Sequence, residues 1–98
     1  MKIEFNKNNG SLNVALEGRL DTTTAPELET FLNENCGDAR ELTLDCEKLV
    51  YISSAGLRVL LSAQKKMQKI GSMKLTGVRA EVMDIFEMTG FADILVIE

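Results

Sequence analysis

Apolar and polar positions along this chain switch between a period of two and a period near 3.6, and each switch marks a new element. Ile3 and Phe5 share one side of a short alternating stretch from Lys2 to Phe5. Asn9-Gly10, a pair that tolerates positive φ at both positions, marks a tight hairpin turn. Beyond it, Leu12, Val14 and Leu16 alternate with Asn13, Ala15 and Glu17, so Ile3–Phe5 and Leu12–Gly18 predict an antiparallel hairpin. Thr24-Ala-Pro-Glu27 has the form of a capping box with proline in the first turn. It opens a helix in which Leu28, Phe31, Leu32 and Cys36 recur, with Gly37 as its stop. Leu42, Leu44 and Cys46 alternate with Glu41, Thr43 and Asp45 as a further strand. Leu57, Leu60, Leu61 and Met67 mark a second helix ending near Ile70-Gly71. Met73 and Leu75 mark another strand. Val82, Ile85 and Phe86 give a third helix closed by Gly90, and Ile94 to Ile97 a last strand.

The expected order is β-β-α-β-α-β-α-β, an α/β fold with a mostly parallel sheet and an N-terminal hairpin strand. Strands buried on both faces read as continuous apolar runs, whereas three of these alternate with polar residues. Helices are therefore expected mainly on one face, with the other face open to water. No repeat or linker interrupts the 98 residues, and a chain of that size supports one core, so a single domain over residues 1–98 is expected.

Charge and composition narrow the chemistry. The net charge of −4 lacks the basic surface of non-specific nucleic-acid binding. No apolar run approaches the ~18 residues of a membrane span, and MKIEFNKNNG has no apolar signal region. Cys36 and Cys46 have no zinc spacing and read as reduced thiols of a cytoplasmic protein. The absence of histidine removes Ser-His-Asp and Cys-His catalysis and the commonest transition-metal ligand. No cofactor or metal site is expected.

The informative segment runs from Leu49 to Leu61, where a strand gives way to Ser53-Ser54-Ala55-Gly56 and then to a helix. Such a helix start presents unpaired N–H groups and partial positive charge. One serine is accounted for as an N-cap. Gly56 is unfavourable in a first turn by ~0.5–1 kcal/mol relative to alanine, which implies a close approach to its backbone. The P-loop pattern is absent.

Tyr51-Ile-Ser-Ser-Ala-Gly-Leu-Arg-Val-Leu-Leu61 resembles the signature of STAS domains in anti-sigma factor antagonists. Gly18-Arg-Leu-Asp21 with Thr24-Ala-Pro-Glu-Leu28, and Phe86-Glu-Met-Thr-Gly-Phe91, resemble that family's other recurrent segments. The likeness runs in order over essentially the whole chain and implies the STAS fold. The family's phosphoacceptor is the second residue of an Asp-Ser-(Ser/Thr)-Gly stretch, which counting back from Gly56 is Ser54. Ser53 stands at the aspartate position and Ala55 replaces the second hydroxyl residue, so two adjacent hydroxyls are candidates. Asp21 matches the family's other carboxylate by the site, and Arg58 follows on the partner-facing helix start. The resemblance thus implies a partner-binding surface of Asp21, Ser53, Ser54, Gly56 and Arg58.

The function implied is partner switching without catalysis. The unphosphorylated protein binds an anti-sigma factor that is itself a serine kinase. Phosphorylation of Ser54 dissociates the complex, and a metal-dependent serine phosphatase resets it. The competing expectation is a stable STAS subunit of a membrane transporter, of the lipid-transport type, or of a stress-signalling scaffold, in which no serine cycles. A small enzyme would need convergent polar groups that the sequence does not show. Lys65, Lys66 and Lys69 read as a solvated face near a helix C-terminus. Met67, Met83 and Met88 read as filler in or near the core.

Overall fold

A computed structural model describes residues 1–98. Strands β1 (Lys2–Asn8) and β2 (Ser11–Leu20) form the hairpin. Asn9 and Gly10 turn it with φ of 49° and 87°, and Asn8 pairs with Ser11 across the two-residue loop. Helix α1 (Ala25–Asn35), strand β3 (Glu41–Ile52), helix α2 (Ser54–Ile70), strand β4 (Ser72–Thr76) and helix α3 (Ala80–Thr89) follow. The sheet order is β1-β2-β3-β4, antiparallel in the hairpin and parallel across β2, β3 and β4.

Period-two patterning explains the layering. Leu12, Val14 and Leu16 of β2, Leu42, Leu44 and Cys46 of β3, and Met73 and Leu75 of β4 are all buried. Their alternates Asn13, Ala15 and Glu17 are exposed, and Thr43 and Asp45 half-buried, so the helices cover one face of the sheet. From α1, Leu28 and Leu32 enter the core; from α2, Leu57, Leu60 and Met67; from α3, Val82 and Phe86. Phe31 of α1 meets Phe5 of β1 edge to face, with ring centroids 4.9 Å apart, which ties the edge strand to the helical layer.

The C-terminus departs from expectation. Ile94–Ile97 does not form a strand. Gly90, at φ 81°, leads into a 3-10 turn at Phe91–Asp93, and Leu95 N–H donates back to the Phe91 carbonyl. Leu95 is thereby committed to the core, and one isolated bridge remains, between Leu75 and Ile97. Ile94, Val96 and Ile97 carry strand propensity, but the turn consumes the residues a ladder would need.

Strand β3 is longer than its sequence pattern suggested because it carries extra residues. From Ala15 to Arg19 β2 advances four residues while β3 advances six, from Asp45 to Tyr51. These bulges move the buried phase from Cys46 to Leu49 and Ile52. They also bring Leu20 opposite Ile52, so both strands end at the same edge.

Candidate functional site

Because Leu20 pairs with Ile52 in parallel register, Asp21 and Ser53 follow side by side at that edge. Ser53 N–H donates to the Leu20 carbonyl at 2.9 Å, fixing the two chain exits to each other. Helix α1 rises from the first exit and α2 from the second, so two helix N-termini border one surface.

Ser53 is the N-cap of α2, in extended conformation with φ −99° and ψ 175°. Its Oγ accepts from Gly56 N–H at 3.4 Å, and its carbonyl accepts from Leu57 N–H at 2.9 Å. Ser54 is the first helical residue. It is exposed, and its hydroxyl makes no hydrogen bond within the protein. The backbone N–H groups of Ser54 and Ala55 likewise find no acceptor, as the geometry of a helix start requires unless something caps them. The two adjacent hydroxyls are therefore distinct: one is turned onto the helix and the other faces solvent.

Gly56 is buried, not part of the surface. A Cβ there would lie 2.7 Å from Leu20 Cγ, 2.8 Å from Ile52 Cγ1 and 2.9 Å from the Leu20 carbonyl oxygen. The close approach that the sequence implied is made by the protein's own strand ends. Glycine lets α2 start directly above them, and Gly56 supports the surface from beneath.

Asp21 is held by its own turn. Its Oδ1 accepts from Thr24 N–H at 3.1 Å and Thr23 N–H at 3.0 Å. The Thr24 N–H, opposed by desolvation and aided by Thr23, holds the carboxyl below its ordinary pKa. The capping box expected at Thr24 and Glu27 does not form. Thr24 Oγ1 instead donates to the Arg19 carbonyl at 2.7 Å and accepts from Asp21 N–H at 2.9 Å. The threonine hydroxyl is thus taken up upstream by the Asp21 turn, and Glu27 N–H donates to the Thr24 carbonyl instead.

Two residues beyond the expected set complete the edge. Arg19 lies over the Tyr51 ring, 4.2 Å from Cζ to centroid, and its Nε is 3.7 Å from Asp21 Oδ2. Arg19 and Tyr51 are register partners, which the bulged β3 brings about. The available sequence signal was spacing, since Arg19 precedes Asp21 by two residues. Arg58 is exposed on α2 and pairs with no carboxylate. Cys36 and Cys46 are both free, and burial pushes the Cys46 thiol up to about 12. No helix is long and apolar enough to cross a membrane.

The chain is 35% identical over 96 residues to the protein BtrV of Bordetella bronchiseptica, covering 96% of this chain and 83% of that one. It is 26% identical to the anti-sigma-B factor antagonist of Bacillus subtilis, covering 97% and 88%. The crystal structure of an anti-sigma factor antagonist from Mycobacterium paratuberculosis superposes with a TM-score of 0.87 at 21% identity, covering 98% of this chain and 83% of that one. With the STAS domain model matching residues 2–98, this chain belongs to the STAS domain family.

Proposed function

We propose that this chain is a partner-switching anti-sigma factor antagonist whose switch is the hydroxyl of Ser54. The observation that carries the reading is the division of labour between neighbours: Ser53 Oγ caps α2, while Ser54 stands exposed and unbonded at its first position. The function named for the Bacillus subtilis relative supports the same reading.

In the unphosphorylated state the surface of Asp21, Ser53, Ser54 and Arg58 docks on an anti-sigma factor that is a serine kinase, and the sigma factor is freed. The kinase then uses this protein as substrate. Ser54 Oγ attacks the γ-phosphorus of ATP, ADP leaves, and the hydroxyl proton passes to a base of the kinase. Phosphate brings ~−1.5 to −2 charge and three acceptor oxygens to the middle of the interface. A helix N-terminus tolerates that charge locally, but its desolvation against a bound partner costs several kcal/mol, and the complex separates. Hydrolysis by a serine phosphatase restores the hydroxyl. No refolding is needed, because the charge is added on the binding face.

The test has two parts. Incubation with the kinase and ATP, followed by mass spectrometry, should place phosphate on Ser54; phosphate found on Ser53 or a threonine removes the assignment. Calorimetric titration of the kinase should show Ser54→Ala binding as wild type does, and Ser54→Asp more weakly. The phosphorylated protein should bind weakest, since a carboxylate brings one charge and fewer acceptors than phosphate. Equal binding by all forms would leave Ser54 without a switching role.

A further inference from the structure

Ser54 opens α2 and Arg58 stands four residues on, so their side chains leave the same face of the helix one turn apart. Both are exposed. Arg19 is engaged by the Tyr51 ring and Asp21, whereas Arg58 belongs to none of the molecule's ion pairs. Its position also opposes the helix dipole, and α2 has no acidic residue in its first turn to offset it.

We propose that Arg58 is the internal clamp for a phosphoryl group on Ser54, its guanidinium taking two phosphate oxygens in parallel hydrogen bonds. This rests on the reading of Ser54 as the phosphoacceptor and adds how the modified state is held. An anion followed by a cation at i and i+4 is the favourable order on a helix. Arginine matches phosphate bidentately, which the point charge of lysine cannot do. The free N–H groups of Ser54 and Ala55 add to the attraction. The Asp21 carboxylate on the neighbouring turn acts against it, tempered by Arg19 beside that carboxylate. Phosphorylation then acts twice on the docking face. It adds a dianion, and it withdraws the Arg58 cation from the surface offered to a partner.

The clamp is read on the full chain with phosphoserine installed at position 54 by codon expansion, so that no kinase is involved. The second ionisation of the phosphate, followed by phosphorus NMR, should lie about half a pH unit lower in the otherwise wild-type protein than in Arg58→Gln. Arg58→Lys should fall between them. Lys65→Gln, further down the same helix, should match the wild type. The rise in Tm on phosphorylation should be smaller in Arg58→Gln. Identical ionisation in the Arg58 variants and the wild type, all folded by circular dichroism, overturns the clamp. Failure of a kinase to modify Ser54 would count against the proposed function and leave this measurement intact.

Discussion

At the start of α1, Thr23 and Thr24 N–H reach the Asp21 carboxylate, Ala25 N–H reaches the Asp21 carbonyl, and Glu27 and Leu28 N–H reach the Thr24 carbonyl. Pro26 has no N–H to place. At the start of α2, beside it on the same sheet edge, Ser53 takes Gly56 and Leu57 N–H, while those of Ser54 and Ala55 are left without acceptors. The first helix carries Glu27 in its opening turn; the second carries no acid there at all. One helix start is closed by its own sequence, and the other is left open to whatever supplies negative charge. On the proposed function, the contrast separates a structural terminus from a regulatory one. A carboxylate built into α2 would fix its electrostatics permanently, whereas a hydroxyl leaves them to be set by modification.

Gly56 joins the two starts, so replacing it should have the largest effect. Gly56→Ala would press its methyl on Leu20 and Ile52, and overpacking of this kind costs ~1–3 kcal/mol, partly offset by alanine's better helix propensity. For a domain of this size each kcal/mol lowers Tm by roughly 4–8 °C. Urea unfolding should show a lower midpoint with unchanged slope. A Gly56→Ala protein as stable as wild type would mean that α2 can lift off the strand ends, and the two starts would not be coupled.

Asp21→Ala comes next, because it removes the acceptor of two backbone N–H groups at once. Its sign with pH follows from the depressed carboxyl. A group whose folded pKa lies below its unfolded value contributes stability above the unfolded value, ~3.9 for aspartate, and loses it as pH falls through the folded one. The gap in stability between wild type and Asp21→Ala should therefore be widest near neutrality and narrow steadily below pH ~4. A gap independent of pH would show that the turn, not the charge, closes α1.

How much of this was legible in the sequence depended on the range of the interactions involved. Asn9-Gly10 specifies its own turn, and Gly71 and Gly90 mark their helix ends, so the hairpin and the limits of α2 and α3 could be read locally. The Ser53-Ser54 step was legible as a helix start, but not which hydroxyl caps it, since that turns on the torsions of Ser53. The Thr24 cap does not form because its hydroxyl is engaged upstream, by the Arg19 carbonyl and Asp21 N–H, which the four-residue pattern does not show. That something approaches Gly56 closely was legible, but what approaches it was not, and the Arg19–Tyr51 contact lay beyond reach as well. Both depend on the extra residues of β3, which decide what stands opposite Leu20 and Arg19.

Ser53→Ala sharpens the comparison at smaller scale. It deletes the one side-chain cap of α2, and at 3.4 Å that bond is long, so the cost belongs in the lower half of the ~0.5–2 kcal/mol typical of caps. Its unfolding midpoint should drop modestly while Ser54 remains available for phosphorylation. A Ser53→Ala protein with unchanged stability would show that α2 has no effective cap of its own.

The smallest expected effect is the most discriminating. The Ser54 hydroxyl bonds to nothing in the folded protein, and the residue occupies a position where alanine is at least as good a helix former. Ser54→Ala should therefore change stability by less than ~0.5 kcal/mol, as exposed substitutions away from special features do. A hydroxyl that stabilises nothing in the fold is free for a role outside it, and acceptance of phosphate is that role in the reading given above. Paired urea titrations of Ser53→Ala and Ser54→Ala decide the matter. A clear loss for the first and none for the second preserves the division of labour between the neighbours. An equal loss for both would make Ser54 a second cap, and the open start of α2 would then be as structural as the closed start of α1.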